Sequence, residues 1–293
     1  MKNIRKFLLL LMTLNFAEAK ESTGGDRLNI AVVANSADLY GKALSELTKL
    51  DYLNVVERRD LQPLLKELEL SQQGVITKSL EQKLQGSEFL VILEGVQTTN
   101  LRIVRVFDGK VTDATSGSIK DVLTSAAQHL DFLSGMKQLA LLKSDEKNFF
   151  LKIGTASGKY RIGDQFGFYL DSKSDGYLYL LTVTNQGDIE AVIPGPALQF
   201  FQIKAGHSYS FPEDFTPDGK SKLSVTGPAG KVVIKAIVSK RRFEIGNAKL
   251  ITSDGRITKG SATKFTKGLR LQLSSIPRTD WGVAEAAYEV IEK

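Results

Sequence analysis

The chain has 293 residues, of which 42% are hydrophobic and 25% are charged, and it contains no cysteine. This length can bury enough apolar surface for two domains of ordinary size, each with its own core. Disulfide bonds are excluded, so the fold must rest on buried apolar surface alone. The formal charge of +6 is a small excess of 39 basic over 33 acidic residues, and it does not predict binding to nucleic acid.

The N-terminus has the three-part pattern of a secretory signal peptide. Basic residues at positions 2, 5 and 6 precede the apolar run 7–12, and Ala17-Glu18-Ala19 forms an A-x-A cleavage site. Thr13 and Asn15 interrupt the apolar run, which is shorter than the roughly 20 residues that span a membrane. We therefore predict a cleaved signal peptide at residues 1–19 and a periplasmic or secreted protein that is neither membrane-spanning nor lipidated.

The first half of the mature chain alternates apolar runs of strand length with segments of helical period. The predicted strands lie at 28–34, 53–56, 89–93, 101–106 and from 111, and the predicted helices at 37–50, 61–70, 77–86 and 118–140. The Asp108-Gly109 pair predicts a hairpin turn between the last two strands. This alternation indicates an α/β domain at residues 28–142, in a two-layer or three-layer arrangement.

The pattern changes abruptly at the charged stretch 143–148, which we predict to be the domain boundary. Beyond it, short apolar strands are separated by turn pairs such as Asp175-Gly176 and Asp218-Gly219. Many short strands with regular turn signals are typical of a sandwich or barrel. Residues 148–292 are therefore predicted to form a second, all-β domain with a sandwich-like or barrel-like fold.

The first domain resembles a known envelope family. The sequence Glu-Arg-Arg-Asp-Leu at 57–61, the leucine-rich segment after it and the strand at 89–95 resemble the signature of the CsgG family of curli production, assembly and transport proteins. The resemblance spans about residues 28–142 and implies a periplasmic α/β fold. Pore-forming relatives add long membrane strands, each of about 9–11 residues, and the segment between 95 and 118 has no room for two pairs of them. Channel activity is therefore not implied.

The second domain resembles a widespread bacterial domain of unknown function that often follows kinase, protease-like or curli-type domains. The resemblance rests on motifs at 160–164, 175–180, 193–196, 204–206, 226–230 and 233–238. Members of that family usually carry an Asn after the first proline of the 193–196 loop and polar residues after the second, whereas this chain has Gly195 and then Phe200-Phe201. A ligand common to the family is therefore not carried over to this chain.

No pattern for catalysis, metal binding or cofactor binding is present. His129 and His207 are the only histidines, and neither has a cysteine or a second histidine near it in sequence. Residues 154–160 fall short of a phosphate loop, and residues 171–176 carry Lys173 at a position where a calcium loop needs an oxygen ligand. We expect no catalytic residue, no metal and no cofactor.

Two sites are candidates for binding a partner. Phe200 and Phe201 are adjacent in an extended segment, so one ring should enter the core while the other stays at the surface. Lys240, Arg241 and Arg242 form a basic cluster directly after a strand. The alternative role of this cluster is to keep a strand edge from aggregating.

These observations predict a non-enzymatic interaction protein of the cell envelope that assists assembly or transport of a surface structure or secretion system. The β-rich domain would recognise envelope proteins or cell-wall glycan, and the α/β domain would dock or form a homo-oligomer. Two alternatives remain open, namely a secreted hydrolase of peptidoglycan or oligosaccharide and an outer-membrane pore subunit. Hydrolase activity of the purified protein that is lost when one carboxylate is changed would favour the first alternative. Detergent-resistant rings that conduct ions across a membrane would favour the second.

The signal peptide gives the first testable prediction. N-terminal sequencing of the exported protein should begin at Lys20, because cleavage is predicted after Ala19. An extracytoplasmic protein that retains Met1 would contradict the prediction.

Overall fold

The computed structural model describes the mature region in two compact units. The described residues are 27–56, 84, 86–95, 97–107, 109–143, 149–184, 188–195, 200–215, 223–226, 229–245, 250–253, 255–258 and 260–292. The predicted signal peptide, the Glu57–Gly74 motif and most of the predicted 143–148 boundary lie outside them. The two units are residues 1–137 and 138–293. Among the described residues, no helix combines the length and apolar character that crossing a bilayer requires.

The first unit is built on a five-stranded mixed sheet. Its elements are β1 Leu28–Ala34, α1 Ala37–Leu47, β2 Leu53–Val56, β3 Phe89–Glu94, β4 Thr99–Arg105, β5 Val111–Gly117 and α2 Ile119–Ala140. The strand order is β2-β1-β3-β4-β5, with β1 parallel to β2 and β3, and with β4 and β5 antiparallel to their neighbours. The predicted strands and the helices predicted at 37–50 and 118–140 are therefore present, whereas the helix predicted at 61–70 and most of the one predicted at 77–86 lie outside the described residues.

The two central strands of this sheet are buried on both faces. One core cluster joins alternate residues of β1 and β3 to α1 and α2, including Ile30, Val91, Leu47 and Leu130. The remaining residues of these strands, such as Val33 and Leu90, form a second cluster on the other face. Strands covered on both sides are continuously apolar, which explains why these two runs were visible in the sequence.

The second unit contains three open sheets among its described residues. Its elements are β6 Leu151–Thr155, β7 Lys159–Arg161, β8 Gln165–Phe166, β9 Phe168–Ser172, β10 Gly176–Thr184, β11 Ile189–Ile193, β12 Phe201–Ile203, β13 Ser208–Ser210, β14 Leu223–Ser224, β15 Gly230–Ser239, α3 Ala262–Ser274 and β16 Trp281–Ile291. The largest sheet has the order β11-β10-β15-β16-β7, with β12 also paired to β10. A three-stranded sheet has the order β13-β9-β6, and β14 pairs with β8.

One apolar core joins these sheets. Leu178 and Ile234 of the largest sheet, Leu170 of the three-stranded sheet and Phe166 of β8 belong to a single buried cluster. Buried and more exposed residues alternate along β9 and β11, whereas β10 and β15 are buried over most of their length. The described part of the unit is therefore β-rich, with its core between sheets rather than inside a closed barrel.

The prediction that the second domain is all-β was wrong. Helix α3 spans 13 residues and buries Phe265, Leu269 and Leu273, which recur every four positions. The surrounding turn pairs favoured strands, and Thr263, Thr266 and Gly268 lower the helical propensity of the segment. Burial of the apolar stripe outweighs that propensity, because helices in proteins gain most of their stability from packing.

Helix α3 gives the second prediction. Phe265→Ala should lower the free energy of unfolding by about 3–5 kcal/mol, because the ring is fully buried. Leu271→Ala on the same helix is the matched control, since that side chain is 72% exposed and should change stability by less than about 0.5 kcal/mol. Urea denaturation of both variants provides the measurement. Equal effects at the two positions would contradict the assigned face of the helix.

Candidate functional site

The candidate site is organised by one buried tyrosine in the largest sheet. Tyr179 lies on β10, and its hydroxyl donates to the Phe243 carbonyl at 2.8 Å and accepts from the Phe243 N–H at 2.6 Å. The two rings stack with centroids 4.0 Å apart. Burial raises the pKa of the Tyr179 hydroxyl, which keeps the donor proton in place. The segment that follows β15 is therefore fixed to the sheet by a reciprocal pair of hydrogen bonds and a ring stack.

Phe200 contacts the basic cluster beside the Tyr179–Phe243 pair, which we call the frame. Its ring lies edge-on to Tyr179, with centroids 6.2 Å apart. The guanidinium carbon of Arg242 lies 3.7 Å from the centroid of the Phe200 ring, which is close contact for a cation and an aromatic face. Phe200 and Arg242 are far apart in sequence, and the fold brings them together.

Phe201 points the other way. Its ring lies 4.3 Å from that of Phe215 and 5.5 Å from that of Tyr209, measured between centroids. It packs against the main core of the second unit. Both rings are half-buried, but their surroundings differ, since Phe201 packs against the core and Phe200 lies beside the basic cluster.

The three basic residues are held in different ways. The Lys240 ammonium binds an Asp280 carboxylate oxygen at 2.9 Å, and the Lys240 N–H donates to the Asp280 carbonyl at 2.8 Å. The hydrogen bond from Lys240 lowers the pKa of Asp280, and the charge of Arg241 adds to this effect. Lys240, Arg241 and Arg242 are all exposed. Because Asp280 offsets Lys240, the two arginines carry the net positive charge of this surface.

We call Phe200, Lys240, Arg241 and Arg242 the basic patch. Strand β15, which leads into it, pairs with β10 on one side and β16 on the other. It is therefore an inner strand, and protection of a strand edge is not the role of these charges. The patch combines fixed cations with one aromatic ring, which is an arrangement suited to an anionic group that lies beside apolar surface.

The two histidines and the two loop motifs considered in the sequence analysis lie in surroundings typical of structural residues. His129 contacts the Thr112 hydroxyl at 3.2 Å, and burial lowers the pKa of its ring while Asp113 opposes the shift. His207 stacks edge-on to Tyr209, with centroids 4.4 Å apart. Gly154 lies within β6 and Asp171 within β9, so neither belongs to a phosphate or calcium loop.

Sequence reasoning missed a buried cation. Lys235 in the middle of β15 is only 2% exposed, and its ammonium donates to the Leu139 carbonyl and to a Glu285 carboxylate oxygen. Burial lowers the pKa of Lys235, and Glu285 opposes the shift. The available signal was a lysine inside the apolar run 232–238. A lysine in an apolar strand either points to solvent or is buried and paired with an acidic residue. Lys235 is buried and paired with Glu285.

Comparison with known proteins supports the predicted character of the second half. The model of a family described as domain of unknown function (DUF4384) matches residues 159–242, from β7 to the last residue of the basic patch. No curated protein matches the chain. A crystal structure of TolB from Acinetobacter baumannii aligns over 73% of this chain and 69% of its own, with 12% identity and a TM-score of 0.24. A similarity of that size supports no conclusion about fold or function. The CsgG resemblance of the first half stays a prediction.

The two phenylalanines give the third prediction. Phe201→Ser should lower the free energy of unfolding by about 3 kcal/mol, because it removes a ring from the core cluster. Phe200→Ser should cost less than about 1 kcal/mol, since that ring contacts only the frame and an exposed arginine among the described residues. Chemical denaturation distinguishes the two. Equal losses would mean that both rings serve packing alone.

Proposed function

We propose that the protein is a non-enzymatic interaction protein of the bacterial cell envelope, which assists assembly or transport of a surface structure or secretion system. Its second unit would act as the recognition module. The observation that carries this proposal is the basic patch, in which Arg242 lies over Phe200 on a frame fixed by Tyr179. The predicted signal peptide supports the envelope setting.

The chemistry of the patch supports binding rather than catalysis. Arginine stays protonated at any physiological pH and offers five N–H donors, so it binds anions but does not transfer protons. Phe200 contributes apolar surface only. Asp280, the carboxylate beside the patch, is held by Lys240. An arginine next to a half-buried aromatic ring is a combination that interfaces use to anchor a partner.

The chemistry also points to the kind of partner. An acidic protein segment with an apolar side chain beside its carboxylates would match both the arginines and the ring. A rigid frame adds to affinity, because few side-chain rotations are lost when the partner binds. Tyr179 and Phe243 provide that rigidity through two hydrogen bonds and a stacked pair. We therefore infer that the partner is an acidic envelope protein.

The fourth prediction tests this function. A photo-crosslinking residue at position 200 of the mature protein should capture one envelope protein, which mass spectrometry would identify. The affinity for that purified partner should fall at least tenfold in the double variant Arg241→Gln and Arg242→Gln, which corresponds to about 1.4 kcal/mol. The wild-type affinity should also weaken with salt, because charge steers and holds the complex.

Lys159→Gln is the matched control for this experiment. Lys159 is an exposed lysine of the same unit that forms an ion pair with Glu289 at 2.8 Å, away from the patch in sequence. Lys159→Gln removes one positive charge, as each single arginine variant does, and should leave the affinity unchanged, whereas Arg241→Gln and Arg242→Gln alone should each weaken binding. Loss of affinity to the same extent in Lys159→Gln, or retained affinity in the arginine variant, would refute the proposal.

A further inference from the structure

The outer face of the three-stranded sheet β13-β9-β6 carries a second set of exposed aromatic and charged groups. Ile153 of β6 and Leu170 of β9 point inward into the core. Their strand neighbours point outward, since successive side chains alternate between faces. The register pairs Gly154 with Tyr169 and Ser210, and Lys152 with Asp171 and Ser208, so these residues form two adjacent rows on the outer face.

Tyr169 lies flat across this face. A Cβ atom built on Gly154 would lie 2.1 Å from both Cζ and the hydroxyl oxygen of Tyr169, so the ring occupies the space above the glycine. Gly154 does not adopt the left-handed backbone conformation, and its lack of a side chain therefore makes room for the ring. The ring is 42% exposed, which leaves a surface of the tyrosine open to solvent.

A second exposed ring continues the same face. Phe150, just before β6, is 43% exposed, and its carbonyl accepts a hydrogen bond from the Lys173 N–H, which extends the β6–β9 ladder by one row. Positions 150 and 154 are four residues apart, or about 13 Å along a strand. A lysine ammonium lies near each ring, with Lys173 Nζ 5.0 Å from the Phe150 centroid and Lys152 Nζ 5.8 Å from the Tyr169 centroid.

Polar groups lie between and beside the rings. Asp171 accepts a hydrogen bond from the Ser208 hydroxyl at 2.5 Å, and Ser210 lies in the row of Tyr169. The face is thus a line of two aromatic rings with hydroxyls, one carboxylate and two ammonium groups around them. It lacks the contiguous apolar centre that a stable protein interface has.

We propose that this face binds an acidic polysaccharide. The C–H bonds on one side of a sugar ring carry partial positive charge and complement the negative face of an aromatic ring, so Tyr169 and Phe150 would each hold one ring of the same chain. Sugar hydroxyls can donate to Asp171 and accept from the Ser210 hydroxyl. Carboxylate groups on the chain would bind Lys152 and Lys173. A single-stranded DNA could also stack on the rings, but its internal deoxyribose units have no free hydroxyls to bind the carboxylate and hydroxyl groups of this face.

This site is separate from the basic patch and does not depend on the proposed function. The test uses the mature full chain, residues 20–293, and a hexamer of galacturonate as the acidic probe. Cellohexaose is the neutral probe with the same ring type, poly-glutamate is the polyanion without sugar rings, and a thymidine hexanucleotide is the stacking polyanion. Isothermal titration calorimetry should show binding of the galacturonate hexamer and at least tenfold weaker binding of the other three.

Variants of this face test whether the galacturonate hexamer binds there. Tyr169→Ala should weaken binding of the galacturonate hexamer at least tenfold, whereas Tyr169→Phe should retain it because the ring is kept. Gly154→Val should also weaken binding with Tyr169 still present, because the new side chain takes the space under the ring. Lys173→Gln should weaken the galacturonate probe only. Arg242→Gln, in the basic patch, should bind the galacturonate hexamer as the wild type does.

Several results would overturn the proposal. They are absence of galacturonate binding, equal or tighter binding of cellohexaose, poly-glutamate or the oligonucleotide, and unchanged affinity in Tyr169→Ala. If thermal unfolding shows that Tyr169→Ala does not fold, Gly154→Val and Lys173→Gln decide the matter. Loss of partner binding in the arginine variants would leave this inference untouched, and loss of sugar binding in Tyr169→Ala would leave the proposed function untouched.

Discussion

The long central strand β15 is the element on which the second unit depends. All of its residues pair with β16, and most of them also pair with β10. This double pairing fixes the register of three strands at once, since a slip by one residue would turn each buried side chain to the opposite face. Ile234, Ala236 and Val238 then enter the core, and the chain leaves the strand at Lys240 in a defined direction.

The same register places a charge inside the protein. Lys235 faces away from the main core and is buried, so its ammonium is separated from water and must be paired. Glu285 lies directly opposite on β16, and the Leu139 carbonyl near the end of helix α2 supplies a further acceptor. Removing one partner of such a pair is far more damaging than removing both, because the remaining charge stays buried.

The two candidate surfaces of this unit are built in a similar way. In each, an aromatic ring lies close to a cation and rests on well-ordered structure, a stacked ring pair at one surface and a glycine at the other. Phe200 and Arg242 meet over the Tyr179–Phe243 pair, and Tyr169 rests above Gly154. Prearranged groups lose little conformational entropy on binding, which makes such surfaces effective despite their small size.

The sequence by itself determined the elements whose signal is local. The continuous apolar runs at 28–34 and 89–93, the helical period of 119–140 and the turn before Gly176 all correspond to described elements, because burial on both faces, a single apolar stripe and turn chemistry leave direct patterns. It also singled out the adjacent pair Phe200-Phe201, whose rings must point to opposite sides, and the basic residues 240–242 as a charge cluster. Tertiary structure decided the rest. Helix α3 forms because burial of Phe265 outweighs the weak helical propensity of its segment. Phe200 lies beside Arg242 because Tyr179 contacts the Phe200 ring and also binds Phe243, the residue next to Arg242. Contacts between residues distant in sequence follow from strand register and core packing, and neither can be predicted from one segment of the sequence.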